Sequence, residues 1–254
     1  MTASIIMVHG AFCGGWAFET FRLPFEAAGW RVLAPDLRGH GADEPASRVS
    51  GASMADYAAD IAALCAAEPE PPVLLGHSMG GLVAQLAARK ACVRALVLLA
   101  PSPPWGVATS SFEEAATAFG VQFMGAFSSG AMEPDRGLMR TYSLDRMSEE
   151  DREAAVARLR PESAAAIRET LNWWLDPFMT TSVGPGPIGA PSLVISGERD
   201  VVHSPATARA TAERIGAAYD VMPGMSHWLV GEPGSEDVAA RTLRWLAEAA
   251  RAAA

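Results

Sequence analysis

The chain contains few of the residues from which disulfide frameworks and metal sites are built. Its 254 residues include three cysteines, Cys13, Cys65 and Cys92, and no two of these have a C-x-x-C spacing. An odd number of cysteines without that spacing argues against a disulfide framework and against a zinc site. We therefore expect reduced and mostly buried thiols, with no metal and no organic cofactor.

Positive charge is scarce as well. The chain has 20 Lys and Arg against 29 Asp and Glu, a net charge of −9, and no run of five basic residues. An acidic surface disfavours nucleic acids and anionic membranes as partners. We expect the partner to be a small-molecule substrate and the chain to be a monomer or a homodimer.

Long apolar runs are missing near the start of the chain. The first four residues carry no basic side chain, and the apolar run that follows at residues 5–8 is short. Such a run is far too short for a secretory signal or a membrane span. This pattern predicts a cytoplasmic protein without a membrane segment.

Hydrophobic residues, in contrast, make up half of the chain. That content is enough to build one well-buried domain with an insertion. Short apolar runs alternate with helical patterns, which predicts an α/β fold: a mostly parallel sheet of about six strands with helices on both faces. The predicted strands cover residues 5–8, 31–34, 73–75, 95–99, 192–195 and 219–222, and helical patterns between them include residues 18–28 and 54–67.

The alternation stops between Ser102 and Pro191. Helical patterns cover residues 111–127, 148–160 and 161–175 there, with no strand pattern between them and with Pro161 suited to the first position of a helix. We therefore predict an α/β core of residues 1–104 and 188–254. Residues 105–187 are predicted to form a helical cap over the carboxyl edge of the sheet, where α/β sheets bind ligands.

The most informative segment is Gly76-His77-Ser78-Met79-Gly80, at the junction of a predicted strand and a predicted helix. Side chains two residues before and after such a sharp turn would collide, so glycine occupies both positions. Ser78 is expected at strained backbone angles that lift its hydroxyl clear of the sheet, as suits a nucleophile. The alternative is a glycine-rich turn in which the serine caps the helix.

A nucleophilic serine needs a base, and the chain has five histidines from which to choose. His227 lies in the loop after the last predicted strand and downstream of an acid, so it is the candidate base. Asp200 follows the predicted strand at 192–195 and is the candidate acid, with Glu198 as the second choice. The order Ser78, Asp200, His227 is the one expected when the nucleophile lies in a Gly-x-Ser-x-Gly elbow on an α/β sheet.

An oxyanion needs at least two fixed N–H donors. The amide of Met79 is one candidate because it opens the helix after the serine. The second donor should come from the glycine-rich loop after the first strand, where Ala11 is the first choice and Phe12 the alternative. Cys13 in the same loop is expected to line the site.

Several segments together resemble the α/β-hydrolase superfamily over nearly the whole chain. They are Val8-His9-Gly10, Asp36-Leu37-Arg38-Gly39-His40-Gly41, Gly76 to Gly81, Gly197 to Asp200 and Ser226-His227. The resemblance implies the α/β-hydrolase fold with a helical cap, Ser78 as nucleophile, His227 as base and Asp200 as acid. It also implies an oxyanion hole of Met79 and Ala11. One departure is expected, because the first predicted strand begins at residue 5 and the antiparallel hairpin that usually precedes it is therefore not expected.

The activity expected from these residues is serine hydrolysis through an acyl-enzyme on Ser78. Aromatic residues predict an apolar pocket and therefore a small, largely hydrophobic carboxylic ester, lactone or thioester as substrate. The residues expected to line it are Phe12, Trp105, Trp173, Phe178 and Trp228. Lyases, perhydrolases and carbon–carbon bond hydrolases use the same residues and stay open, as do a non-catalytic ligand receptor and a scaffold that binds through the cap.

Overall fold

A computed structural model describes residues 3–108 and 130–252 of the chain. Its main sheet is built from β1 Ser4–Val8, β2 Arg31–Leu33, β3 Val73–His77, β4 Ala95–Leu99, β7 Ser192–Gly197 and β8 Ala218–Met222. These six strands are all parallel and lie in the order β2-β1-β3-β4-β7-β8. The predicted parallel sheet of about six strands is confirmed, and each predicted strand lies within one or two residues of the observed one.

Alternate residues of each strand face two different hydrophobic cores. In β1, Ile5 and Met7 belong to one core and Ile6 and Val8 to the other, and all four side chains are fully buried. Strands that are apolar throughout are expected when helices cover both faces of a parallel sheet. The carboxyl ends of the central strands therefore meet at one edge of the sheet, between two helical layers.

Helices cover both faces of the sheet, as the sequence predicts. The described helices are α1 Leu23–Ala27, α2 Met54–Ala67, α3 Met79–Ala88, α4 Arg136–Leu138, α5 Glu149–Ala157, α6 Ala164–Leu171, α7 Pro205–Ile215 and α8 Ser235–Ala252. Buried residues of α1 and α8 join the core that contains Ile5, and those of α2, α3 and α7 join the core that contains Ile6. No helix within residues 3–108 and 130–252 is long and apolar enough to span a bilayer.

One helix prediction in the core is wrong in its extent. Residues 18–28 do not form a continuous helix, since a 3₁₀ helix at Gly15–Phe18 is followed by turns and by the short α1. Pro24 lies in the first turn of α1, where its missing N–H costs no hydrogen bond, and it favours a helix that starts at this point. Gly29, at φ +87°, then reverses the chain toward β2.

The described part of the segment between β4 and β7, residues 130–187, contains helices and also a small sheet. Ala131–Met132 (β5) pairs antiparallel with Glu162–Ser163 (β6), which corrects the prediction that no strand interrupts the helices. For the same reason the helix after Pro161 begins later than predicted: α6 starts at Ala164, with the Ser163 hydroxyl accepting from the Ala166 N–H. The predicted helix at 111–127 lies outside the described residues.

Candidate active site

The backbone at Ser78 has the strained conformation that the glycine pattern predicts. Ser78 lies between β3 and α3 at φ 54° and ψ −125°, a region that non-glycine residues rarely adopt. A Cβ atom at Gly76 would lie 2.3 Å from the carbonyl oxygen of Gly80, and one at Gly80 would lie 2.2 Å from that of Val8. Both glycines are therefore required by close backbone contacts.

The structure brings the three predicted catalytic side chains together although they are far apart in the sequence. Ser78 Oγ lies 3.0 Å from His227 Nε2, and His227 Nδ1 lies 2.9 Å from Asp200 Oδ2. Since Asp200 is a hydrogen-bond acceptor, the Nδ1–H of His227 donates to it. The Nε2 of His227 is then left to accept the proton of the Ser78 hydroxyl.

Close packing at the end of β7 fixes the loop that carries His227. A Cβ atom at Gly197 would lie 2.0 Å from the carbonyl oxygen of Ser226, so only glycine allows this approach. The Arg199 N–H donates to the Met225 carbonyl at 2.8 Å, which ties the loop of Asp200 to the loop of His227. Asp200 and His227 are therefore held by backbone contacts as well as by their own hydrogen bond.

Two further groups set the electrostatics around His227. Burial alone would raise the pKa of Asp200, but the charge and hydrogen bond of His227 hold it below its ordinary value. Asp200 Oδ1 also accepts from the N–H groups of Val202 and His203, at 2.8 and 2.9 Å. His77 is buried, its pKa is lowered to about 3 by burial and then by the charge of His227, and its Nε2 lies 2.9 Å from the His227 carbonyl. Asp200 thus stays ionised while His77 stays neutral.

The predicted oxyanion donors lie beside the serine. Gly10 is so close that a Cβ atom there would be 3.0 Å from Ser78 Cβ. Ala11 and Met79 line the same cavity as Ser78. The Phe12 N–H, the alternative donor, lies 3.4 Å from Glu162 Oε2 and is directed to that carboxylate. This geometry favours Ala11 over Phe12 as the second donor.

The cavity above Ser78 is lined mainly by apolar side chains from both the core and residues 130–187. Of the five predicted pocket residues, Phe12 and Trp228 line it. The other lining residues are Gly10, Ala11, Cys13, His77, Met79, Ser102, Leu138, Met139, Tyr142, Ser143, Ile167, Thr170, Leu171, Val202, His203 and His227. The expected place of Cys13 is thus confirmed.

Three predicted pocket residues lie outside the cavity that the described residues form. Trp105 and Trp173 contact each other, with ring centroids 5.4 Å apart, and Phe178 is 86% exposed. Adjacent aromatic residues on a helical segment point about 100° apart, so a tryptophan pair such as Trp173-Trp174 cannot turn both rings toward one pocket. The composition of the segment predicted an apolar pocket without indicating which of its aromatic side chains face it.

The structure also places two polar residues in the cavity that the sequence did not single out as site residues. Ser102 follows β4 and His203 follows Asp200, and Ser102 Oγ lies 2.8 Å from His203 Nε2. Their position just after neighbouring parallel strands is the signal that could have found them. They give the cavity a hydrogen-bonding wall beside the predicted catalytic group.

Two other carboxylates that follow strands have different contacts. Glu198, the second choice for the acid, is exposed and accepts from the Gly224 N–H at 2.7 Å. Asp36 accepts from the Gly15 N–H at 2.7 Å and therefore supports the loop after β1 across 21 residues of sequence. Within the described ranges no group of three His, Cys, Asp or Glu side chains is arranged to hold a metal ion.

The class of α/β hydrolases is defined by four features that this structure has. They are a parallel sheet with this strand order, a strained serine after β3, an acid after β7 and a histidine after β8. The sequence model of the alpha/beta hydrolase family matches residues 5–241. The chain belongs to this family.

Several relatives are named as esterases or hydrolases, and each of them matches only part of the chain. A pyrethroid hydrolase of Sphingobium wenxiniae is 38% identical over 77 residues, which are 30% of this chain and 27% of that protein. A carbendazim hydrolyzing esterase of Nocardioides is 31% identical over 146 residues, which are 54% of this chain and 59% of the relative. The chain therefore aligns with between about a quarter and three fifths of the length of these two relatives.

Solved structures match over the whole fold at lower identity. A methylesterase from Arabidopsis superposes with a TM-score of 0.71 at 19% identity, covering 96% of this chain and 99% of that one. At this identity the match establishes the shared fold and says nothing of the substrate.

Proposed function

We propose that the chain is a serine esterase that hydrolyses a small, largely hydrophobic carboxylic ester, lactone or thioester. The observation that carries the proposal is the connected arrangement of Ser78, His227 and Asp200 at the floor of an apolar cavity. The names of the partial relatives support ester hydrolysis as the reaction class. In this proposal residues 105–187 act as the cap over a core of residues 1–104 and 188–254.

The proposed reaction has two halves. The Ser78 Oγ attacks the carbonyl carbon while His227 Nε2 takes its proton, and Asp200 stabilises the resulting imidazolium. The carbonyl oxygen becomes an oxyanion that the N–H groups of Met79 and Ala11 hold. His227 then protonates the leaving alcohol, and a water molecule activated by the same imidazole cleaves the acyl-enzyme.

The cavity lining supports the proposed substrate class. Phe12, Trp228, Met139, Ile167 and Leu171 present apolar surface, which suits an apolar acyl or alcohol group. The Ser102 hydroxyl and the His203 imidazole add polar groups to the cavity wall. A substrate that is mostly apolar and carries one polar group fits these walls better than a sugar or a peptide.

A fluorophosphonate probe and a panel of p-nitrophenyl esters test the proposal. We expect the probe to label Ser78 and the chain to prefer short to medium apolar acyl groups. Ser78→Ala should abolish labelling and lower kcat by about 10⁴-fold or more. An unlabelled wild-type chain that still binds apolar ligands would favour the receptor alternative, and full hydrolysis by Ser78→Ala would contradict the mechanism.

A further inference from the structure

Glu162 is a fully buried carboxylate that the proposed reaction does not use. It lies in β6, in the segment above the sheet, and its side chain and that of His40 are both completely shielded from solvent. Its Oε2 lies 3.0 Å from His40 Nε2, and its Oε1 accepts from the Tyr57 hydroxyl at 2.6 Å. Burial alone would raise the pKa of Glu162, but the charge and hydrogen bond of His40 and the hydrogen bond of Tyr57 hold it below its ordinary value.

The two oxygens of Glu162 serve four donors. Oε1 accepts from Tyr57 and from the Ser163 N–H at 2.8 Å, and Oε2 accepts from His40 and, at 3.4 Å, from the Phe12 N–H. A carboxylate has acceptor positions on both oxygens, whereas an amide of the same shape has them on one oxygen only. Glutamate is therefore the residue that can satisfy all four donors at once.

One of those donors belongs to the loop that carries the proposed oxyanion hole. Phe12 has φ +63°, a left-handed conformation that costs a non-glycine residue free energy and persists only where surrounding contacts hold it. Its N–H is directed to Glu162, and its carbonyl accepts from the Arg160 N–H at 2.9 Å. Both polar backbone groups of Phe12 are therefore held by residues 160–162 of the overlying segment.

The peptide group between Gly10 and Ala11 is held by His9, whose ring packs against the ring of His40. His9 Nδ1 lies 2.8 Å from the Gly10 carbonyl, and its Nε2 accepts from the Leu37 N–H at 3.0 Å. The His9 ring lies 5.1 Å from the His40 ring, and burial followed by the charge of His40 lowers the pKa of His9 to about 3. A neutral His9 thus donates from Nδ1 to Gly10.

The Gly10 carbonyl and the Ala11 N–H belong to one peptide group, and no peptide bond in the described residues is cis. In a trans peptide the N–H points opposite to the C=O, so fixing the Gly10 carbonyl fixes the direction of the Ala11 N–H. Three backbone polar groups of the loop after β1, the Gly10 carbonyl and the two polar groups of Phe12, are therefore anchored.

We propose that Glu162 is a positioning residue for the oxyanion hole: it holds Phe12 directly and His9 by way of His40, and so sets the direction of the Ala11 N–H. The inference rests on the proposed function, in which that N–H receives the oxyanion. It means that the segment above the sheet completes the catalytic geometry in addition to covering the cavity.

Glu162→Gln tests this with Glu169→Gln as a matched control. Glu169 lies in α6 of the same segment, and its Oε2 accepts from the Met54 N–H at 2.7 Å, so it also bonds a core backbone amide but does not contact the loop after β1. Both variants and the wild type are compared in kcat and KM with one p-nitrophenyl ester. They are also compared in the inhibition constant of a matching trifluoromethyl ketone.

The ketone reports on the oxyanion hole because it forms the oxyanion. The Ser78 Oγ bonds to the ketone carbon, the C=O π electrons become the alkoxide, and the serine proton passes to His227. For Glu162→Gln we expect kcat to fall about 10- to 100-fold with KM nearly unchanged, and the inhibition constant to rise by a similar factor. Glu169→Gln should leave all three values within about threefold of the wild type, as expected of a change remote from the reacting atoms.

Hydrogen exchange gives a readout that needs no turnover. The amides of residues 9–16 should exchange at least about tenfold faster in Glu162→Gln than in Glu169→Gln, because the loop loses an anchor. An unchanged inhibition constant together with unchanged exchange in this loop would overturn the inference. If Ser78→Ala kept its activity, the proposed function would fail, and the exchange result would still decide whether Glu162 orders the loop.

Tyr57→Phe serves as the second variant if Glu162→Gln does not fold. It removes one donor to Glu162 Oε1 and leaves every charge in place. We expect the same changes in kcat, inhibition constant and loop exchange as for Glu162→Gln, but smaller. A folded Tyr57→Phe variant with wild-type exchange at residues 9–16 and a wild-type inhibition constant would also contradict the proposal.

Discussion

Two buried histidine–carboxylate pairs in the described part of the chain have almost the same length. His227 Nδ1 lies 2.9 Å from Asp200 Oδ2, and His40 Nε2 lies 3.0 Å from Glu162 Oε2. All four side chains are almost completely shielded from solvent. The pairs differ in what the second nitrogen of each imidazole meets, and that difference separates a proposed catalytic role from a positioning role.

The second nitrogen of His227 faces a hydroxyl, and that of His40 faces a carbonyl. Ser78 can donate its proton to His227 Nε2, so a neutral imidazole satisfies both contacts. His40 Nδ1 lies 3.3 Å from the Arg38 carbonyl oxygen, so both of its nitrogens meet acceptors and the imidazolium satisfies them best. Burial alone would lower the pKa of His40, but the charge and hydrogen bond of Glu162 outweigh it and raise that pKa.

The largest expected effect comes from changing the acid of the proposed catalytic pair. In Asp200→Asn the side-chain amide can donate to His227 Nδ1, which favours the tautomer that cannot accept the serine proton. We expect kcat to fall about 10⁴-fold while the melting temperature changes little. The measurement is steady-state hydrolysis of a p-nitrophenyl ester, with thermal unfolding to verify the fold.

Glu198→Gln is the control for this prediction. Glu198 lies two residues before Asp200, but it is exposed and bonded to the Gly224 N–H. Its substitution should leave kcat within about twofold of the wild type, as is usual for exposed positions. Asp200→Asn retaining more than about a tenth of the wild-type kcat would remove the distinction between the two pairs.

The two pairs also differ in how far the sequence predicts them. Ser78 directly follows the apolar run of β3, and Asp200 and His227 lie in the loops after β7 and β8. The carboxyl ends of parallel strands share one edge of the sheet. Glu162 follows no such run, and it meets His40 across 122 residues. No local pattern encodes that contact, which arises because β6 is placed above the loop after β1.

The same reasoning explains which parts of the fold could be predicted. The four central strands of the main sheet are buried on both faces and marked by apolar runs, so they could be placed from the sequence. The edge strands β2 and β8 are only partly buried, and the sequence places them by their apolar residues. The two-residue strands β5 and β6 carry no periodicity and were missed. The sequence could not place Phe178 for a related reason. Composition predicts an apolar pocket but not the direction of a single side chain, and the side chain of Phe178 is exposed.

A change in the His40–Glu162 pair should lower the free energy of unfolding. In His40→Gln the cation is lost and Glu162 is left as a buried charge with hydrogen bonds but no counter-ion. We expect the free energy of unfolding at pH 7 to fall by about 3 kcal/mol, the lower end of the range for breaking a buried ion pair. Urea unfolding followed by tryptophan fluorescence measures this loss.

The double variant His40→Gln/Glu162→Gln sharpens the result, because it removes both charges and leaves no buried carboxylate. We expect it to be more stable than His40→Gln alone, although it contains one more substitution. If the losses of the two single variants simply added up, the two side chains would not interact as an ion pair. The comparison with Asp200 and His227 would then rest on geometry alone.

Glu232 provides a third case, a buried carboxylate near the site without a histidine partner. It lies five residues after His227 and is 1% exposed. Its Oε1 accepts from the Ser226 N–H at 2.8 Å, and its Oε2 has no hydrogen-bond partner among the described residues. Burial raises the pKa of Glu232 from 4.5 to about 7. Compared with Asp200 and Glu162, it shows what burial does when no histidine is hydrogen-bonded to the carboxylate.

The smallest expected effect is therefore a change in the pH dependence of stability in Glu232→Gln. Because the folded-state pKa lies above the unfolded value, the wild type keeps its full stability below about pH 4.5 and loses part of it as the pH rises to about 7. Glutamine cannot ionise, so its advantage should grow by about 2–3 kcal/mol between pH 5 and pH 8. Urea unfolding at both pH values measures it, with exposed Glu236→Gln as the control that should show no such growth. An advantage equal at both pH values would mean that Glu232 is paired in the folded chain, as Asp200 and Glu162 are.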